Sequence, residues 1–182
     1  MKKLLLYLII LFSSFTSNLF AKTDSLHFKK NAIYLESYGS AIPYSINYDR
    51  LLHNKGKLAA FSFRLGFAYL FVPSFNSTYY EAILIPISSS ILFGKKIDKI
   101  EIGISATYHS GHGYTPNNYT SYGFILGGRH QNSNKKDILF RLCYTPQIAR
   151  YPKGYGITGV KYFDGSEWGF KNFAGFSIGF TF

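Results

Sequence analysis

In eight stretches of this chain every second residue is bulky and apolar, and the residues between are mostly small. In 59–69, Phe61, Phe63, Leu65, Phe67 and Tyr69 alternate with Ala60, Ser62, Arg64, Gly66 and Ala68. In 99–108, Ile100, Ile102, Ile104, Ala106 and Tyr108 alternate with Glu101, Gly103, Ser105 and Thr107. In 137–146, Ile138, Phe140, Leu142 and Tyr144 stand against Leu139, Arg141, Cys143 and Thr145. The last stretch sets Ala174, Phe176, Ile178, Phe180 and Phe182 against Gly175, Ser177, Gly179 and Thr181. Shorter runs of the same kind mark 31–38, 43–50 and 121–130, and a less regular one marks 80–93, where Leu84 and Pro86 fall on the second face. A period of two belongs to strands whose faces meet different surroundings. No amphipathic helix is evident after residue 30.

Any half-buried sheet alternates, so the second face decides the architecture. A face that meets water is built from Lys, Glu, Gln and Thr, which also guard against edge-to-edge association. Here it is Gly, Ser, Ala and Thr with a few charges. Small residues suit the crowded interior of a barrel of about eight strands, which has room only for side chains. The bulky set then faces outward, and an outward apolar band needs an apolar solvent. The expected fold is all-β, an eight-stranded antiparallel up-and-down transmembrane β-barrel. Only 16% of the 182 residues are charged, against roughly 25% in an ordinary soluble domain. With 47% hydrophobic and 19% aromatic residues, long disorder is excluded. The one cysteine, Cys143, excludes a disulfide scaffold and reads as a small buried hydrophobe.

The start of the chain has a different character. Met1-Lys2-Lys3 is basic, Leu4 to Phe12 is unbroken apolar, Ser13 to Asn18 is small and polar, and Leu19-Phe20-Ala21 precedes Lys22. That order is the pattern of a secretory signal peptide cut after Ala21. Its apolar run is about half of the roughly 20 residues that a spanning helix needs. Residues 1–21 are therefore expected to be a leader and 22–182 the barrel. Losing Lys2 and Lys3 lowers the formal charge from +11 to +9, and no nucleic acid is expected to meet an exported chain. The thirteen later lysines fall outside the alternating stretches or at their edges, Lys99 at an edge and Lys171 in or beside the last loop. Charges on a lipid face cost roughly 2–4 kcal/mol each near the midplane, so this placement is the expected one.

The connections alternate too. Those at 51–57, 94–98 and 131–136 are short, basic and turn-rich; those at 70–79, 109–120 and 147–170 are longer. Short turns on the periplasmic side and long loops outside are the outer-membrane arrangement. The tight connection near Gly39-Ser40 is the exception. Tyr69, Tyr79, Tyr80, Tyr108, Tyr122, Tyr144 and Trp168 gather near the expected outer strand ends and Tyr48 near the inner ones, as aromatic girdles do.

The leader, the closing run Phe176-Ser177-Ile178-Gly179-Phe180-Thr181-Phe182 and the segment from Tyr34 to Arg50 carry a resemblance. The chain resembles the small outer-membrane β-barrel proteins of the OmpA/OmpX type and the related outer membrane protein beta-barrel domain families. The closing run, with Phe176, Ile178, Phe180 and the terminal Phe182 at alternate places, is similar to the signal read by the barrel-assembly machinery. The resemblance implies a location in the outer membrane of a Gram-negative bacterium, lipid and lipopolysaccharide as surroundings, and no single activity. A monomer without metal or cofactor is expected.

Three chemistries are open to such a barrel. The inward set contains Glu36, Asp49 and Glu101 with Arg64, Arg129 and Arg141, and these should pair into a network that plugs the lumen. A conducting, porin-like path would need a wider lumen. His109-Ser110-Gly111-His112 opens an outer loop, with Glu81, Asp164 and Glu167 as acids for a Ser–His–acid set or a metal pair. It lacks the Gly-x-Ser-x-Gly elbow. The last loop, Gln147 to Gly169, holds aromatic and basic residues (Tyr151, Tyr155, Tyr162, Phe163, Trp168, Arg150, Lys153, Lys161) suited to an anionic surface ligand such as lipopolysaccharide. The expectation is a non-enzymatic barrel with a structural or surface-interaction role; a lipid A deacylase-like hydrolase and a soluble periplasmic lipocalin-like carrier stand as alternatives.

Overall fold

The computed structural model describes residues 29–52, 59–73, 79–94, 97–113, 118–131, 137–150 and 168–182. The expected leader 1–21 lies outside them, as do Asp164, Glu167 and most of the last loop. Eight strands run in chain order: β1 (Asn31–Ser37), β2 (Tyr44–Leu52), β3 (Ala59–Pro73), β4 (Tyr79–Phe93), β5 (Asp98–Gly113), β6 (Asn118–Gln131), β7 (Ile138–Arg150) and β8 (Trp168–Thr181). Each pairs antiparallel with its neighbours in sequence, and β1 pairs with β8, so the sheet closes into a barrel. Closure leaves no strand at a sheet edge along the paired height. Both ends of the barrel chain meet at one mouth, where Asn31 and Phe182 exchange backbone hydrogen bonds of 3.2 and 2.9 Å. We call this the terminus end and the opposite mouth the loop end.

The faces follow from the period of two. Phe63, Ile102 and Phe180 are 52%, 38% and 68% exposed, whereas Arg64 and Glu101 between them are at most 1% exposed. The same parity holds around the barrel: Ile33, Leu35, Ile46, Phe124 and Leu142 point out, and Asn47, Ser62, Ser90, Thr145 and Ser177 point in. The outer surface is therefore apolar and the lumen polar.

The expected strand ends need correction. Seven strands, β2 to β8, run past the ends set by alternation, so the long connections contract to 74–78, 114–117 and 151–167. The backbone ladder continues wherever neighbouring strands can satisfy it, whether or not the two faces still contrast. His109 to His112 accordingly lie inside β5 rather than in a loop, and Lys171 inside β8. Lys99 stands at a strand edge as expected, the second residue of β5, and is buried on an inward position. The tight connection 38–43 folds into the lumen, burying Gly39, Ser40 and Ala41.

Candidate functional site

Six of the eight strands each place one charge at the same depth of the lumen: Glu36 from β1, Asp49 from β2, Arg64 from β3, Glu101 from β5, Arg129 from β6 and Arg141 from β7. The structure brings all six together. Arg141 holds Glu101 through two contacts, Nε to Oε2 at 2.6 Å and Nη2 to Oε1 at 3.1 Å, and reaches Glu36 Oε1 with Nη1 at 2.6 Å. Arg64 Nη2 donates to Glu101 Oε1 at 2.9 Å and lies 3.8 Å from Asp49 Oδ2. Arg129 Nη1 donates to Asp49 Oδ2 at 2.7 Å. Serines complete the acceptors: Ser62 Oγ donates to Asp49 at 2.6 Å and Ser90 Oγ to Glu101 at 2.9 Å. Beneath Arg64 lies the ring of Tyr34, 5.4 Å from the guanidinium carbon. Three acids against three guanidiniums leave no formal charge within the set, the condition under which buried ions are tolerated.

Two further layers flank this network. Toward the terminus end, Leu51, Ala60 and Leu92 form one apolar cluster, and Ala32, Tyr34 and Leu139 another. Toward the loop end sits the turn 38–43. Tyr38, at φ 57°, redirects the chain as it leaves β1, and its N–H donates to Pro43 O at 3.0 Å. The turn's carbonyls are taken by the wall: Thr107 Oγ1 donates to Ser40 O at 2.8 Å, and Gln147 Nε2 donates to Gly39 O and Ser40 O at 3.2 and 3.1 Å. Ala41 packs on Ala68, Ala82 and Leu84. Only glycine fits where the turn meets β8, since a Cβ on Gly175 would stand 2.6 Å from Gly39 Cα. The lumen is thus filled by apolar side chains, then ion pairs, then backbone. The inward turn was not anticipated; its only trace in the sequence is a run of small residues between two unusually short strands.

The other expected residues are placed as follows. Tyr48, Tyr69, Tyr108, Tyr122, Tyr144 and Trp168 all point outward, Trp168 at the start of β8; Tyr48 hydrogen-bonds Asn31 Oδ1 at 2.8 Å. The side chains of Tyr79 and Tyr80 lie outside the described set. Phe176, Ile178, Phe180 and Phe182 form an outward row at the closing seam. His109 and Ser110 are successive residues of β5, so their side chains leave opposite faces of the wall. His109 instead lies on the lumen side, its Nε2 3.2 Å from Ser121 Oγ and its ring stacked on Tyr119 at 4.2 Å. The side chain of His112, the other member of the i, i+3 pair, lies outside the described set. No cluster of three metal-ligating side chains occurs among the described residues. Of the last loop's candidates only Arg150, the final residue of β7, and Trp168 fall among the described residues. His130 Nδ1 and Asp98 Oδ1, 2.6 Å apart, form a further hydrogen bond that sequence reasoning missed.

Comparison with protein-family models, curated proteins and solved structures finds no match for this chain. What the geometry defines is a class of architecture, a closed eight-stranded antiparallel barrel with an apolar exterior and a filled, polar interior.

Proposed function

We propose that the protein is an integral outer-membrane β-barrel with a sealed lumen, serving a structural or surface-interaction role. One observation carries this reading: most of the large apolar side chains, on all eight strands, point away from the barrel axis, while Glu36, Asp49, Arg64, Glu101, Arg129 and Arg141 point toward it. In water such an exterior far exceeds the apolar patch of a typical monomer. In hydrocarbon it is the favoured surface, and closure supplies the backbone partners of a spanning sheet along the height where all eight strands pair. A soluble carrier has the opposite arrangement, with apolar side chains lining its interior. Within this reading Phe176, Ile178, Phe180 and Phe182 present the assembly signal, the outward tyrosines and Trp168 form the girdle, and 1–21 is the export leader.

The test is fractionation of the expressed full chain followed by an alkaline carbonate wash and gels with and without boiling. The protein is expected to stay with washed outer membranes and to migrate differently in the two lanes. Recovery in the soluble fraction, with one mobility, refutes the proposal.

A further inference from the structure

The wall of the barrel is not equally tall all round. The ladder between β2 and β3 ends at Ile46↔Phe67, yet β3 continues to Pro73 along β4. On the other side the β1–β8 ladder ends at Ser37↔Phe176, while β8 begins eight residues earlier, at Trp168, paired to β7. Among the described residues the short β1–β2 hairpin, turned inward at 38–43, therefore leaves a notch in the wall between β8 and β3. At about 3.3 Å per residue its flanks rise about 20 Å on β3 and about 26 Å on β8. At its base it spans three strand spacings, about 14 Å.

Three observations give the notch a chemistry. First, the apolar exterior continues on both flanks, with Tyr69 and Phe71 on β3 and Trp168 and Phe170 on β8 all pointing outward. Under the membrane reading, on which this inference rests, the notch opens sideways into the outer leaflet. Second, the lumen behind the β3 flank is apolar: Leu70 packs on Ala68, Ala82 and Leu84, with Ala41 of the turn as floor. Third, the rest of the upper lumen wall adds polar groups and one lysine beside the rings of Tyr119 and Phe173. Lys171 takes an inward position on β8, and His109 and Ser121 meet at 3.2 Å across β5 and β6. An apolar wall, a floor and one lysine among polar groups match a molecule with one acyl chain and an anionic head.

We propose that the notch is a lateral entrance through which a single-chain anionic amphiphile, a fatty acid or a lysophospholipid, passes from the outer leaflet into the lumen above the turn, its chain along Leu70 and its head toward Lys171.

The experiment uses the full chain in phospholipid vesicles, with Trp168→Phe removing the native fluorophore and Leu70→Trp placing a reporter in the upper lumen. Phe173→Trp, a milder exchange on β8, serves as a second reporter. Fatty acid or lysophospholipid brominated along its chain is then titrated in. Saturable quenching is expected at both reporters but not at Leu92→Trp, below the ion pairs. Lys171→Gln should raise the half-saturating concentration about tenfold, the scale of one charge-assisted hydrogen bond. Quenching by the fatty acid alone assigns a carboxylate ligand, by the lysophospholipid alone a phosphate head, and by both the shared chemistry. Quenching at the two upper reporters no greater than at Leu92→Trp, or unchanged by Lys171→Gln, overturns the proposal. An outward reporter, Phe63→Trp, with brominated bilayer lipid separates the two readings. Silence there defeats the membrane reading, whereas quenching there with silent lumen reporters defeats only the entrance.

Discussion

Arg141 is the residue on which the lumen network turns, because it alone touches two carboxylates at 2.6 Å. Arg141→Met would strand Glu36 and Glu101 without their main partner, and removing one member of a buried ion pair costs about 3–5 kcal/mol. Urea unfolding of the refolded barrel in micelles should show that loss. Arg141→Lys should recover only part of it, since an ammonium cannot reproduce the forked contact with Glu101. Gly175 matters for a steric reason. In Gly175→Val the new side chain collides with the backbone of Gly39, so the turn must leave its seat or the wall must bend. The expected result is proteolytic cleavage within 38–43 in the variant and resistance in the parent. Both residues stand on the small or charged face in the sequence, so their inward direction was legible. That Arg141 would meet a glutamate 105 positions away was not, because period-two patterns fix the face of a residue but not the strands across the lumen.

The strands themselves were legible for a simple reason. Two surroundings on the two sides of a wall force alternation, and no other element has that period. The parity of all eight stretches, including the irregular 80–93, is the one observed, with Leu84 and Pro86 inward. Strand ends were not legible, because a ladder of backbone hydrogen bonds needs no contrast between faces. β5 carries on through Ser110 and Gly111, residues that read as a loop. The turn 38–43 was hidden for a related reason: Gly39, Ser40 and Ala41 suit a tight exposed turn and a buried one equally. A charge on each face separates the two environments experimentally. Ile104→Arg, outward on β5, should cost about 2–4 kcal/mol of stability in a bilayer. The measurement is denaturant titration in vesicles, with Ile104→Val as the near-neutral control. Truncation before Phe180 removes the Ile33↔Phe180 and Ile138↔Phe180 pairs at both sides of the seam. The truncated chain should therefore lose the faster-migrating unboiled band.

For the molecule as a whole, apolar side chains, ion pairs and a buried turn lie in series along one axis. Each obstructs a lumen already narrow at eight strands. Planar-bilayer recordings should show no steady conductance for the parent chain, for Arg64→Ala, or for a variant in which 38–43 is replaced by a two-residue Asn-Gly turn. Ion flow in one of the two variants but not in the parent would show that a single layer holds the seal. The placement of that turn also constrains how the protein can be made. It is tethered at both sides by β1 and β2 and held from within by Thr107 and Gln147, which belong to strands far along the chain. Those partners exist only once β5 and β7 have joined the wall, so the cork is seated no earlier than its staves, and β8, the last strand in the chain, shuts the vessel by docking on the first.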